Sequence, residues 1–368
     1  MMKPKVLCVF GTRPEVIKMA PIIRKLKEDA SLDTVVLSVS QHREMLDQML
    51  QVFDIKPNYD LDIMSPNQTL SKITSTLPLP LEKVFNEVKP SIVLAQGDTT
   101  TAFITSLISY YNQIPFAHVE AGLRTGSKEE PFPEEMNRTL ISNLSTLHFA
   151  PTEISRDNLL REGVSSDSIH VTGNSVVDSL HYILRLHPRA VNRLDPDKKL
   201  ILVTAHRREN WDKLSEICLA IKTIALQNPT VEFLFPVHPN PKVSSFVSRE
   251  LGEHPQIRLT GPLNYVDFVN AMNDAYLILS DSGGVQEEAP SLDTPVLVLR
   301  NRTERPEAIA SGACKLVGTH VPRIVEEAHR LLHCQETYRQ MIQNKSPFGD
   351  GFTAERIVDI TKNYLAKR

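Results

Sequence analysis

Leu277-Ile278-Leu279-Ser280-Asp281-Ser282-Gly283-Gly284-Val285-Gln286-Glu287-Glu288-Ala289-Pro290 decides how the rest of the chain is read. Tyr276 to Leu279 is a short apolar run suited to a buried parallel strand, and Ser282-Gly283-Gly284 then turns the chain into a helix expected to begin near Val285. A helix that starts on two glycines presents bare backbone N–H groups. No Cβ keeps a ligand away from them and they lie at the positive end of the helix dipole, so a phosphate is the natural guest. Glu287 and Glu288, expected in the first helical turn, either complement that dipole or accept hydrogen bonds from a ribose diol beside the phosphates. Ser-Gly-Gly after a strand is also an ordinary turn, and the choice between the two readings depends on the rest of the chain.

A length of 368 residues exceeds one ordinary core and predicts two domains. Apolar content of 41%, charged content of 23% and a net charge of −3 describe a soluble globular protein and exclude a strongly basic nucleic-acid binder. The amino terminus leads into only five apolar residues, Val6 to Phe10, which is too short for a signal peptide or a membrane span; a cytoplasmic protein is expected. Cys8, Cys218, Cys314 and Cys334 are far apart and lack zinc-ligand spacing, so reduced, mostly buried thiols and no metal are expected.

Short Val/Ile/Leu-rich runs alternate with amphipathic stretches throughout, which is the pattern of βαβ units. Strands are expected at Lys5–Phe10, Thr34–Val39, Ser91–Gln96, Pro115–Val119 and Leu147–Phe149, with helices over Pro14–Asp29, Gln41–Phe53 and Thr99–Tyr111. Pro78 and Pro80 should interrupt any helix there. Residues 187–199, rich in proline, arginine and aspartate, read as a linker. A second series of strands follows at Leu200–Thr204, Val231–Phe235, Ile257–Leu259, Tyr276–Leu279 and Pro295–Leu299. The expected class is therefore α/β, with two doubly wound Rossmann-like domains: residues 1–186, the linker 187–199, residues 200–352, and a last helix, 353–368, packing back on the first domain. In such sheets ligands lie beyond the carboxyl ends of the strands, which predicts a site in a central cleft.

Unusual polar residues stand where these strands stop. Gly11-Thr12-Arg13-Pro14-Glu15, Gly97-Asp98-Thr99-Thr100-Thr101 and His118-Val119-Glu120-Ala121-Gly122-Leu123-Arg124-Thr125 follow strands of the first domain, and Pro133-Glu134-Glu135-Met136-Asn137-Arg138 opens the next helix. Thr204-Ala205-His206-Arg207-Arg208-Glu209-Asn210, Pro236-Val237-His238-Pro239-Asn240 and Ser280–Gly284 do so in the second. Each has a plainer reading: Asp98 as a helix cap, Glu134 as first-turn charge, Asn137 and Arg138 as surface polar residues, Arg13 as a helix-start charge. Glu120, directly after a strand and before Ala-Gly, has no capping role. His206 with Arg207 and Arg208 at one strand end suits a diphosphate.

Together with Gln41-His42-Arg43-Glu44-Met45-Leu46-Asp47-Gln48 and Thr303-Glu304-Arg305-Pro306-Glu307, these motifs resemble, over essentially the whole chain, the non-hydrolysing UDP-N-acetylglucosamine 2-epimerases. That family is similar in fold to the two-domain GT-B glycosyltransferases and interconverts UDP-N-acetylglucosamine and UDP-N-acetylmannosamine without added cofactor. The resemblance implies a homodimer, and a product that supplies N-acetylmannosamine units for cell-surface polysaccharide. It implies that Arg13, His206, Ser282, Gly283, Gly284 and Arg305 hold the diphosphate of UDP, with Lys18 also at UDP, Glu288 at the ribose and Leu263 and Phe268 near the uracil. Asp98, Glu120 and Glu134 would be the acid/base carboxylates, and His206 would also be catalytic. Some relatives bind a second UDP-N-acetylglucosamine as an activator; Gln41, Gln68, Arg207 and His238 fit such a site, whereas Glu44 and Asn67 depart from it.

Inverting carbon 2 requires removing a proton from a carbon that no carbonyl activates, for which general-base help of roughly 10² to 10⁴-fold is too little. Departure of UDP first would leave an oxocarbenium-like sugar with an acidic neighbouring C–H, and 2-acetamidoglucal would follow. A GT-B glycosyltransferase would share the UDP site but need only one acid/base; a hydrolysing epimerase would release free sugar; a UDP-sugar-binding regulatory protein would tolerate loss of the carboxylates.

Overall fold

Runs of Val, Ile, Leu and Phe that end in a polar residue form two parallel sheets, each closed on both faces by helices. The computed structural model describes residues 3–39, 43–63, 68–191, 193–205, 207–343 and 346–368. The first sheet holds β1 (Lys5–Phe10), β2 (Asp33–Ser38), β3 (Tyr59–Asp60), β4 (Ile92–Gln96), β5 (Phe116–Val119), β6 (Leu147–Ala150) and β7 (Ile169–Val171) in the order β3-β2-β1-β4-β5-β6-β7. The second holds β8 (Lys199–Thr204), β9 (Val231–Pro236), β10 (Ile257–Thr260), β11 (Leu277–Ser280), β12 (Val296–Val298) and β13 (Cys314–Leu316) in the order β10-β9-β8-β11-β12-β13. Both are doubly wound, the GT-B-like class expected. The winding reverses between β1 and β4 in one sheet and between β8 and β11 in the other, where such folds place their ligands.

The long strands are legible because their residues are buried on both faces: Val6 to Phe10 and Ile92 to Leu94 are fully enclosed. β3, β7 and β13 were not anticipated. Each is two or three residues long at or near a sheet edge, and none carries a continuous apolar run. Pro78 and Pro80 start a helix, Pro78–Val88, rather than break one, because the first N–H groups of a helix have no partner inside it. The helix after β11 begins at Gly283 rather than Val285, so Glu287 and Glu288 lie at its end and cannot complement its N-terminal dipole.

By its contacts the chain divides into residues 1–179 with 348–368, and residues 180–347. The divisions fall inside the helix Val176–Leu186 and ahead of Phe348, not at residues 186 and 352. Residues 187–199 belong to the second unit, because two buried side chains there hold their backbone. Asn270 accepts from Arg189 N at 2.9 Å and donates to His187 O at 3.1 Å, and Glu232 accepts from Leu194 N and Asp195 N at 2.7 and 2.9 Å.

In the first unit the last helix, Thr353–Ala366, packs on the helix Arg13–Glu28, with Lys362 paired to Asp29 at 2.6 Å. Asp178 caps it from outside, accepting from Thr353 N and Ala354 N at 3.3 and 2.8 Å. Pro21, inside the helix Arg13–Glu28, has no N–H for the carbonyl of Ile17, and the hydroxyl of Ser179 donates to that carbonyl instead. Cys8, Cys218 and Cys314 are buried, which pushes each thiol up to about 12, while Cys334 is exposed. Among the described residues no helix is long and apolar enough to cross a membrane.

Gly173 is where the returning chain meets the sheet. Its φ is +92°, and a Cβ would stand 2.7 Å from Thr353 Oγ1 and 3.2 Å from Phe348 O. Gly173→Ala is therefore expected to cost about 2 kcal/mol, through a disfavoured backbone and a collision that backbone cannot relieve. Thermal unfolding that leaves Tm unchanged would contradict this.

Candidate functional site

In the first unit the residues that end β4 and β5 converge on one carboxylate. Glu120 follows β5 directly, is 4% exposed and has φ +64°; the other five non-glycine residues with positive φ among those described are all exposed. A left-handed, buried glutamate costs free energy twice, in backbone and in desolvation, and such positions concentrate at functional sites. The surroundings offset the cost. Lys18 Nζ pairs with Oε2, Arg138 Nη2 lies 3.3 Å from Oε1, Gln96 Nε2 donates to Oε1 at 3.0 Å and Asn174 Nδ2 donates to Oε2 at 3.0 Å.

The helix Glu134–Leu144 organises the cluster. Arg138, 7% exposed, reaches Asp98 Oδ2 at 2.5 Å and the Glu120 carbonyl at 3.1 Å, while Asn137 Nδ2 donates to Asp98 O at 2.8 Å. Asn137 and Arg138 are thus buried site residues and not surface polar ones, because the helix begins at the strand ends and turns this face toward them. Asp98 is not a cap either: Thr99 takes that role, accepting from Ala102 N, and leaves the Asp98 carboxylate 24% exposed. Glu134 is half-buried one turn before Arg138 on the same helix face. Lys18, expected at UDP, is bound to Glu120.

Two supporting groups were missed in sequence. Glu15 is 2% exposed and accepts from Gly11 N and Thr12 N at 2.8 and 2.7 Å and from Thr99 Oγ1 at 2.6 Å, so it ties the end of β1 to the end of β4 and sets Arg13 exposed on the first turn of its helix. Burial pushes its carboxyl up against those hydrogen bonds. Glu135 accepts from Thr125 N and Gly126 N and holds the loop beyond Glu120. The capping pattern Thr12-x-x-Glu15 was a visible signal for the first. His118 is no acid/base candidate: burial holds its imidazole down at about 3, and the neutral ring donates from Nε2 to Gly97 O at 2.7 Å.

In the second unit β8 and β11 end side by side. Asp281, fully buried, accepts from Arg207 N and Asn210 Nδ2 at 3.0 Å each, fixing the loop after β8 to the start of the Ser282-Gly283-Gly284 turn. Neither Gly283 nor Gly284 has positive φ, and a Cβ at either would meet its neighbours at 3.5 to 3.8 Å, ordinary contact. The fold therefore does not require glycine at these two positions; glycine leaves the backbone donors bare. The helix they open is only six residues long, so those donors matter more than any macrodipole.

Arginines gather beside this turn, each on an acid. Arg207 and Arg300 both grip the Glu304 carboxylate in two-point fashion, at 3.2 and 3.2 Å and at 3.2 and 3.1 Å. Arg305 pairs with buried Glu287 and donates to Glu304 O at 3.1 Å. Burial raises the Glu304 carboxyl, but the two guanidiniums outweigh it and hold the group down at about 2. Glu288 is half-buried, with its Oε1 3.8 Å from where a Cβ of Gly284 would stand. Leu263 lines a pocket of about 230 Å³ with Arg258, Asp267 and Asn270; Phe268, half-buried on the adjoining helix Tyr265–Asp274, is not in its wall.

His238 Nδ1 accepts from Asn240 N at 3.1 Å, with its ring 6.1 Å from Trp211, and Gln68 donates to Ile63 O at 3.4 Å in the first unit. His206 and Gln41 lie outside the described residues.

Residues 24–362 match the family model described as UDP-N-acetylglucosamine 2-epimerase. The chain is 50% identical over 370 residues to the UDP-N-acetylglucosamine 2-epimerase of Escherichia coli K12, covering 98% of each chain. It is 49% identical over 374 residues to that of Yersinia pestis, covering 98% of this chain and 99% of the relative. Its structure is similar to that of the Neisseria meningitidis UDP-GlcNAc 2-epimerase bound to UDP-GlcNAc, with a TM-score of 0.89 at 46% identity over 98% of this chain and all of that one.

Because Glu304 is held at about 2 against an ordinary 4.5, its pairing stabilises the fold fully above about pH 4.5, and that stabilisation is lost as pH falls toward 2. Glu304→Gln is expected to lower stability by about 2 kcal/mol at neutral pH, with the gap to the native protein closing between about pH 4.5 and 2 in a series of thermal melts. A gap independent of pH would contradict the assignment.

Proposed function

The chain belongs to the UDP-N-acetylglucosamine 2-epimerase family, and from that premise we propose that it interconverts UDP-N-acetylglucosamine and UDP-N-acetylmannosamine by eliminating UDP and adding it back. The observation that carries this reading is Glu120: a buried carboxylate held in a strained backbone and matched by Lys18 and Arg138 is equipped to move a proton, and Asp98 shares the same arginine.

The C1–O bond breaks first, its electron pair leaving on the β-phosphate of UDP. The negative charge that develops is met by the bare N–H groups of Gly283 and Gly284, by Ser282 and by Arg13, His206 and Arg305. Glu288 takes the ribose, and Leu263 and Phe268 the uracil. The sugar, now cationic at carbon 1, has an acidic C2–H. A carboxylate removes that proton, and the C–H electron pair becomes the double bond of 2-acetamidoglucal. A second acid returns a proton to the other face of carbon 2, and the phosphate oxygen re-forms its bond to carbon 1. Two of Asp98, Glu120 and Glu134 suffice, and Lys18 and Arg138 keep the set balanced in charge as protons move. A second nucleotide sugar would engage Gln41, Gln68, Arg207 and His238. The enzyme acts as a homodimer, and its product supplies N-acetylmannosamine units for cell-surface polysaccharide.

Incubation with UDP-N-acetylglucosamine followed by chromatography is expected to yield UDP-N-acetylmannosamine at equilibrium with substrate and no free N-acetylmannosamine. Accumulating free sugar would establish hydrolysis, and unchanged substrate a binding protein. Asp98→Asn and Glu120→Gln should each lower kcat at least roughly 10²-fold with UDP affinity by calorimetry unchanged, whereas Arg305→Ala should weaken UDP binding about tenfold or more. Native turnover in either carboxylate variant removes that residue from the mechanism.

A further inference from the structure

We infer that Gln96 and Asn174 are positioning residues for the reaction, a pair of neutral amides that fixes one oxygen of Glu120 each and leaves its proton-transfer geometry dependent on their N–H donors. This rests on the reading of Glu120 as an acid/base group. Gln96 is the last residue of β4 and 4% exposed; its Nε2 donates to Oε1 at 3.0 Å. Asn174 is 3% exposed, and its Nδ2 donates to Oε2 at 3.0 Å.

The two cations also on Glu120 cannot set its orientation alone. Lys18 sits on a flexible stem from the helix Arg13–Glu28, and Arg138 divides itself between Glu120 and Asp98. An amide held by its own backbone is a stiffer support, and Asn174 is held from two further directions. Its Oδ1 accepts from Val176 N at 3.1 Å, which fixes which end of the amide faces Glu120, and its backbone N donates to Phe348 O at 2.6 Å, on the segment returning to this unit. One residue on, Ser175 Oγ donates to Lys18 O at 2.6 Å. The turn after β7 therefore sets both Glu120 and the backbone of the lysine that neutralises it. Among the described residues the charged groups on Glu120 include Lys18 and Arg138, with Asp98 beyond Arg138.

Asn174→Asp separates a positioning role from a structural one. The substitution keeps the shape and the acceptor for Val176 N, but replaces the donor by a carboxylate facing Oε2. At about pH 8, under conditions where the variant is folded, kcat should fall about 10- to 100-fold with UDP affinity near native and Tm lowered, and both losses should shrink as pH falls toward about 5.5, where the pair takes up a proton and regains an O–H donor. A loss that is constant with pH, native kcat at pH 8, or a loss that follows UDP affinity would overturn the inference. If Asn174→Asp does not fold, Gln96→Glu makes the same test at Oε1. Glu120→Gln measured alongside distinguishes the two ways of failing: if it stays active, the acid/base reading of Glu120 is at fault; if it is inactive while the amide variants behave as the native enzyme, only the positioning role is.

Discussion

An ionised carboxylate taken out of water loses several kcal/mol of solvation unless fixed donors replace the water, and Glu120 has lost nearly all of its exposure. Among the described residues its donors come from four places in the sequence: Lys18 from the first helix, Gln96 from the end of β4, Arg138 from the helix after β5 and Asn174 from the turn after β7. None is a sequence neighbour of another, so the cluster exists only when β1, β4, β5 and β7 are in register and their helices packed. Removing one donor leaves a buried charge under-compensated, which costs more than the single contact is worth. The features that support this geometry become intelligible together: Glu15 joins the ends of β1 and β4, Ser179 satisfies the carbonyl that Pro21 leaves open, and Gly173 admits the returning chain beside Asn174.

The second unit solves the opposite electrostatic problem. Its strand ends collect positive charge suited to a nucleotide diphosphate, and three of the arginines there are held on acids of the same unit, Arg207 and Arg300 on Glu304 and Arg305 on Glu287. Such pairs keep guanidiniums ordered near the bare turn at Gly283 and Gly284, so less side-chain freedom remains to be lost when a ligand arrives. The first unit thus holds an anion among cations and the second holds cations on anions, as the proposed elimination of UDP would need.

Much of this was legible in the chain. Long strands buried on both faces announce themselves as apolar runs, and Glu120 stood out after one of them because loop chemistry gave it no simpler task, whereas Asp98 and Ser282 had a cap and a turn as plainer readings. Arg138 and Asn137 were visible in the motif, but a surface role stayed open for them, since a helix face cannot be assigned from spacing alone when the whole segment is polar. Asn174, Gln96 and Asp281 were not legible at all: their importance lies in which distant group they touch, and no local pattern records that. The short strands β3, β7 and β13 escaped for a related reason, being held by one or two neighbours rather than by their own composition. Gly283 and Gly284 marked the turn out of β11, but the helix begins two residues earlier than expected and carries its glutamates at the other end, because glycine at a helix start is indistinguishable in sequence from glycine just before one.

The central claim is that a carboxylate of the first unit exchanges the hydrogen on carbon 2 of the sugar. Proton NMR of UDP-N-acetylglucosamine turning over in D₂O tests it directly. Deuterium should appear at carbon 2 of the UDP-N-acetylmannosamine formed, and progressively in the remaining substrate as the reaction reverses. Product formed with its original hydrogen still on carbon 2 would contradict the account.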